Sequence, residues 1–420
     1  MPGGSDWPVP SGQRAVGMAR PSSGGLFYDE DLKKYRVYYT CGSQIRDKPR
    51  HICHAESENG RIFTKPRTGI NGTNIVYSGF FDGGSVWLDY DATNASERWK
   101  MVTVPAPRVN SFRFFVSRDG LSWSRVGGDS GPSGDRATAF VNRFRQTWVF
   151  SLKELWPGFG IGGSAVGQSF GRARAYVESQ NFVSDGTNWS GTSGPFPWVG
   201  SDVADPTWNF NAAIPAELYA LDVTNYESLL VGLFTIFRGF TNPNATTDGN
   251  RTSTELDELY LGYSRDGFHW WRAGDGSIQH GGSYPYPRQP FLRQTFPQFS
   301  WRRSDVSSVG GGFTVQQDHL EFYATGSSDL PGLFGDSEIY GGNGSMGIAT
   351  LRRDGFVSVE SLASQGPGVL TTRPLTWNHG QQFMFINAII ESQGLLQVGN
   401  CVQALVPVTI HSTTRIKNHV

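Results

Sequence analysis

Ser117-Arg118-Asp119-Gly120-Leu121-Ser122-Trp123 returns further along the chain as Ser264-Arg265-Asp266-Gly267-Phe268-His269-Trp270. A third copy reads Ser57-Glu58-Asn59-Gly60-Arg61-Ile62-Phe63. Ser179-Gln180-Asn181-Phe182 and Arg353-Asp354-Gly355-Phe356 are degenerate copies. Asp-Gly and Asn-Gly supply the positive φ of a tight primed hairpin turn, and the serine side chain bonds backbone within it. The aromatic that follows packs back between sheets. An alternating strand precedes each copy, at 52–55, 112–116, 174–177, 259–263 and 347–351. Further upstream lie more hairpin strands, as at 86–88 with 99–104. Four strands per unit of about 60 residues is the make-up of a propeller blade. Five units therefore predict an all-β fold, a five-bladed β-propeller. The competing reading is a β-sandwich with chance Asp-Gly hairpins, and five copies in register argue against it. Blades are expected to begin near residues 20, 82, 135, 222 and 305, with each phrase joining the outer two strands.

The propeller is assigned residues 1–362. Beyond 365 the pattern changes, and runs at 382–389 and 395–398 read as strands of a short or truncated sandwich-like segment over 366–420. The last two units carry extra material at 188–215 and 279–309, rich in Pro and aromatics. Long loops on a propeller build the mouth of the central site. Trp198, Trp208, Tyr284, Tyr286 and Trp301 lie in these insertions and read as a sugar-stacking set, of which at least two are expected to pack the loops onto the rim.

Composition narrows the function. Lys and Arg number 36 against 37 Asp and Glu, a formal charge of -1 in 420 residues. That balance gives no basic footprint for nucleic acid and no polybasic membrane patch, and it argues against a polyanionic substrate unless Arg136 and Arg238 form a local patch. No apolar run approaches a membrane span, and no secretion signal is visible. Sequons at Asn71, Asn94, Asn188, Asn244, Asn250 and Asn343 nevertheless lean toward a secreted, extracellular protein. Cys41 and Cys53 flank a hairpin and form either a bridge or two buried thiols. No metal-site spacing and no phosphate loop appears, so no cofactor is implied; His51-x-x-His54 falls on a strand.

Residues that begin the innermost strands of a propeller share one funnel. Asp82 enters the second blade in Asp82-Gly83-Gly84-Ser85-Val86, Asp135 enters the third, and Glu227 is read as entering the fourth in Asn225-Tyr226-Glu227-Ser228-Leu229. Cleaving a glycosidic bond needs a carboxylic acid to protonate the leaving oxygen and a carboxylate to activate water or attack the sugar. A third carboxylate raises the acid's pKa by repulsion. Glu227 is the expected acid, Asp135 the modulator and Asp82 the base or nucleophile. Each equally suits a turn cap at a strand end. Arg136, Asp222, Tyr226, Arg238, Trp208 and His280 are the candidate substrate-binding residues. Asp29, Glu30, Asp31, Asp89 and Asp91 read as solvated turn acids.

This organisation resembles the five-bladed propeller glycosidases of glycoside hydrolase families 32, 43 and 68 over most of residues 20–362. In those families an Asp, an Asp and a Glu arrive in that order at inner strands, an order that Asp82, Asp135 and Glu227 match. The stretch 347–356 with 370–375 is similar to uncharacterised family-32-like proteins, whereas the W-M-N-D-P-N-G box of family 32 is absent. The resemblance implies a glycoside hydrolase acting on the end of an oligo- or polysaccharide. The alternatives are a propeller polysaccharide lyase, with Tyr226 or His280 as base and Arg136 neutralising a uronate, and a non-catalytic carbohydrate-binding propeller.

Overall fold

The computed structural model describes residues 17–43, 49–105, 111–163, 169–183, 189, 194–206, 216–238, 256–273, 288–295, 301–302, 304–327, 344–357 and 368–372, with pieces at 386, 388, 390, 395–398 and 408–411. Among them the helical elements are two single 3-10 turns, Ile70–Gly72 and Ala95–Glu97; all else that is regular is strand. The chain forms two compact units, Met1–Thr314 with Phe322–Ala349, and Val315–Glu321 with Thr350–Val420.

Five antiparallel sheets follow one another along the chain as the blades of a five-bladed β-propeller. Blade 1 holds β1 (Gly17–Arg20), β2 (Leu26–Asp29), β3 (Lys34–Ser43), β4 (Arg50–Ser57) and β5 (Ile75–Gly79). Blade 2 holds β6 (Phe81–Leu88), β7 (Trp99–Pro105), β8 (Arg113–Ser117) and β9 (Ser124–Val126). Blade 3 holds β10 (Thr138–Asn142), β11 (Thr147–Gly163), β12 (Ser169–Ser179) and β13 (Phe196–Val199). Blade 4 holds β14 (Glu217–Tyr226), β15 (Leu229–Arg238), β16 (Leu256–Ser264) and β17 (Trp271–Arg272). Blade 5 has three described strands, β18 (Ser304–Val315), β19 (His319–Ser327) and β20 (Gly344–Arg352). Blades 1, 2, 3 and 5 start within three residues of the expected positions, whereas the start expected at 222 falls midway along β14, which begins at Glu217.

The core lies between blades. A strand covered on both faces is largely apolar, and every residue of β7 and of β10 is buried, the polar Lys100, Thr103, Thr138 and Asn142 included. Phe27, Tyr38 and Ile52 of blade 1 pack on Val86, Trp99 and Met101 of blade 2. Phe112 and Phe114 of blade 2 meet Phe150 and Val177 of blade 3, and Phe140 and Tyr176 of blade 3 meet Leu218 and Phe234 of blade 4. Between blades 4 and 5, the rings of Tyr226 and Phe313 stand edge to face at 5.3 Å. Val37 and Tyr39 of blade 1 then pack on Val309 and Tyr323 of blade 5, which closes the ring. Backbone bonds seal that seam, Ser23 N–H to Ser308 C=O at 2.9 Å and Gly25 N–H to Val309 C=O at 2.7 Å.

In blades 1 to 4 the repeated phrase does join the outer two strands, but not as a primed turn; in blade 5 it follows β20, the last described strand there. In blade 2 the positive φ belongs to Gly120 alone, at 69°. The Asp119 carboxylate is the hub: one oxygen accepts the backbone N–H groups of Leu121 and Ser122 at 2.8 and 2.9 Å, and Ser117 Oγ accepts that of Gly120. Asp266 repeats this with Phe268 and His269, and Asn59 with Arg61 and Ile62. The aromatics Phe63, Trp123, Phe182 and Trp270 then pack into the inter-blade clusters. A side chain at 120 is excluded, since a Cβ there would lie 2.2 Å from the Tyr38 hydroxyl.

Cys41 and Cys53 are joined as a disulfide across β3 and β4. Asp29, expected in solvent, is buried instead, 3.5 Å from Arg36 and 3.3 Å from Arg98. In the second unit, β21 (Leu395–Val398) pairs antiparallel with β22 (Val408–His411). The run expected at 382–389 lies almost wholly outside the described residues.

Candidate active site at the leading ends of the inner strands

Inner strands β6, β10 and β14 run side by side about the axis, so their first residues meet at one end. Two of those strands begin with a bulge, which leaves one residue unpaired and re-aims its side chain. In β6 the register steps from Phe81 opposite Pro105 to Gly83 opposite Val104, so Asp82 is the extra residue. In β14 it steps from Leu218 opposite Ile236 to Ala220 opposite Thr235, so Tyr219 is the extra residue. Between them, Asp135 and Arg136 form the turn before β10, with Arg136 at a φ of 55°. The three positions are neighbours. A Cβ on Gly83 would lie 3.7 Å from the Arg136 amide nitrogen, and Arg136 Nε–H donates to the Tyr219 hydroxyl at 3.3 Å.

Each carboxylate here has a cation. Asp82, 45% exposed, takes a 2.7 Å bond from Arg50. Asp135, 31% exposed, pairs with Lys153. Burial alone would raise the Asp135 pKa, but Lys153, then Arg172 and Arg136, hold the carboxyl below the usual Asp range. Glu217, the first residue of β14, is only 4% exposed and accepts from the Arg172 guanidinium and backbone N–H, both at 3.0 Å. Beneath this layer lies Arg174, fully buried, donating to the backbone carbonyls of Tyr219 and Arg136 and to Ser151 Oγ. Burial pulls its pKa down to about 10, against the opposing pull of Asp135 and Asp222.

Asp82, Asp135 and Arg136 are thus neighbours at the heads of the inner strands. Glu227 is not among them, and its expected place is corrected. It occupies the exposed two-residue turn between β14 and β15, with a φ of 49°. That turn is ten residues from the head of β14, roughly 30 Å along an extended strand. The expectation took Glu227 as the start of the blade; the blade's inner strand ends there, and Glu217 starts it. Tyr226 lies at the same far end, buried beside Phe313. Arg238 is at the near end, bonded to Glu258. Trp208 and His280 lie outside the described residues, as do Tyr284 and Tyr286. Trp198 packs between Tyr176 and Trp270 and donates to the Phe268 carbonyl at 2.9 Å, while Trp301 covers Gly347; both are structural rings of the kind expected for part of the stacking set.

Asp222 sits midway along β14, buried, accepting from Ser23 Oγ at 2.9 Å and bonded also to Ser308. It therefore ties blade 4 to the seam between blades 1 and 5. Burial pushes its pKa up to about 6, although the two serines, Arg174 and Arg136 oppose the rise. In the unfolded chain an Asp titrates near 3.9. The folded state thus holds the proton more tightly. The stability this confers is complete below about pH 4 and is lost as pH rises through about 6, a change on the order of 3 kcal/mol. Urea unfolding of the wild type is expected to show that decline between pH 4 and 7, and Asp222→Asn to remove it; parallel curves for the two proteins would refute the assignment.

Among the described residues no three His, Cys, Asp or Glu stand close enough to hold a metal ion, and no helix is long and apolar enough to cross a membrane. By its fold the protein is a five-bladed β-propeller, and a number of solved structures are similar to it. They include a glycoside hydrolase (TM-score 0.49, 10% identity, 80% of this chain and 88% of that one). Another is the β-1,2-mannobiose phosphorylase of Listeria innocua (0.47, 10%, 82% and 93%). A third is the β-fructofuranosidase of Schwanniomyces occidentalis in complex with fructosyl-erythritol (0.43, 12%, 84% and 64%). At these identities the likeness concerns the path of the chain. No family model matches the sequence, and no curated protein does.

Proposed function

We propose that this protein is a glycoside hydrolase that cleaves a terminal glycosidic bond at the mouth lined by Asp82, Asp135 and Glu217. The observation that supports the reading is that two bulges and a turn, on three different blades, leave Asp82, Asp135 and Tyr219 close about Arg136. Asp82, the most exposed of the carboxylates, suits the base or nucleophile. Asp135, held ionised by Lys153, suits the stabilisation of positive charge developing on the sugar ring. Glu217 takes the role expected of Glu227, protonating the leaving oxygen. Six sequons and the Cys41–Cys53 bridge favour a secreted protein in an oxidising compartment.

One observation favours a second reading. The Tyr219 phenol beside the Arg136 guanidinium is the pairing that β-elimination from a uronate requires, a base next to a cation. Incubation with a panel of oligosaccharides, reading reducing ends and the ultraviolet absorbance of unsaturated sugars together, separates the two. New reducing ends without absorbance are expected. Absorbance rising in step with reducing ends would mean elimination, and retention of a glycan with neither signal would mean a binding propeller.

A further inference from the structure

We propose that Arg136 anchors a carboxylate on the sugar, so that this mouth takes a uronic-acid-containing glycan; the inference rests on reading the mouth as the substrate site. Among the described residues Arg50, Lys153, Arg172 and Arg238 are each in ion-pair contact with a carboxylate, respectively Asp82, Asp135, Glu217 and Glu258. Arg136 has no such partner there. Its bonds are one from Nε to the Tyr219 hydroxyl and one accepted by its own carbonyl from Arg174, and its guanidinium lies 5.4 Å from the Tyr219 ring centre. Asp82 and Asp257 act on it as charges, outside ion-pair contact. The terminal nitrogens thus keep their donors for a ligand, in the fork that matches a carboxylate with two parallel bonds.

The backbone at this turn is held in place from below. A non-glycine residue at a φ of 55° is strained, and such strain persists only where the surroundings over-determine it. Arg174 supplies the restraint, binding the carbonyls of residues 136 and 219 at once and so tying the two backbones together beneath the bond from Arg136 Nε–H to the Tyr219 hydroxyl. Tyr219 itself is presented by a bulge, and the Arg172 guanidinium also lies 5.4 Å from its ring centre. The near-zero charge of the whole chain, read from sequence as arguing against an anionic substrate, does not govern this point; one unspent guanidinium at the mouth does.

The test is calorimetric titration of the full chain with glucuronate, galacturonate, glucose, galactose and inorganic phosphate. One uronate is expected to bind at least about tenfold more tightly than its neutral parent, the scale of a charge-assisted bidentate contact. Arg136→Asn, which tolerates the left-handed backbone, should abolish that preference while leaving the unfolding midpoint in urea unchanged. Arg136→Lys, which keeps the charge and loses the fork, should retain only part of it. Asp82→Asn should keep the preference even where turnover is lost. Equal binding of uronates and neutral sugars, or a preference that survives in a folded Arg136→Asn protein, would overturn the proposal. So would phosphate binding more tightly than either uronate through Arg136. Arg136-dependent uronate binding without cleavage of any glycan would leave this inference standing and remove the hydrolase reading; cleavage of neutral glycans alone would do the reverse.

Discussion

Asp82→Asn is expected to lower turnover of a natural glycoside by about 10²- to 10⁴-fold, the usual contribution of a positioned acid or base, while Glu227→Gln leaves it unchanged. The amide keeps the shape of the side chain and an oxygen for the Arg50 bond but cannot take a proton or attack the sugar. Asp82 is 45% exposed, so its ion pair contributes little to stability, and the loss should appear in turnover with the unfolding midpoint unmoved. Asp135→Asn should give a loss of similar order, because its charge is held ionised at the same mouth. The comparison with Glu227 makes the result decisive. If Glu227→Gln abolishes turnover and Asp82→Asn does not, the reacting groups lie at the opposite end of the inner strands.

The largest loss of stability is expected at Trp99, by about 3–5 kcal/mol for Trp99→Ala in urea unfolding. This ring is fully buried at the joint of blades 1 and 2. Its centre lies 5.3 Å from that of Tyr38 and 6.2 Å from that of Phe27, with the Arg36 guanidinium over it at 4.8 Å. Deletion would open a cavity that two rigid sheets cannot close. Trp99→Phe should cost far less. The indole N–H has no acceptor among the described residues, so its removal forfeits no hydrogen bond and the phenyl ring refills most of the space. Equal losses for the two variants would show that the N–H, not the packing, is what the site needs.

Blade number was legible because the turn phrase and its upstream strand recur together, and each copy independently requires a hairpin. The chemistry inside the phrase was read less well. Asp-Gly suggested a primed turn, but the carboxylate of Asp119 gathers backbone donors and leaves the positive φ to Gly120. The inner strand of blade 4 was missed for a physical reason. It carries Asp222, Thr224 and Asn225, polar residues that look like loop, although Ser23 and the Val141 carbonyl on other blades satisfy two of them. Reading the head of that strand as loop put the expected blade start at 222 and the expected acid at Glu227, and hid Glu217. Tyr219 owes its direction to a bulge, which alternation does not announce. The pair Arg172 and Arg174 did leave a trace: arginine alternating with alanine along β12 puts both guanidinium groups on one face of the strand.

The seam between the first and last blades ties formation of the ring to the order in which the chain is made. Among the described strands every blade is built from consecutive ones. Ser22 and its partner Ser307 are 285 residues apart. At translation rates of about 5–20 residues per second, blade 1 would leave the ribosome on the order of 15–60 s before the strand that covers it. During that interval Val37 and Tyr39 have neither Val309 nor Tyr323 against them. The newborn protein therefore carries an open apolar face for most of its synthesis, and a chaperone that shields such faces has its natural target on blade 1.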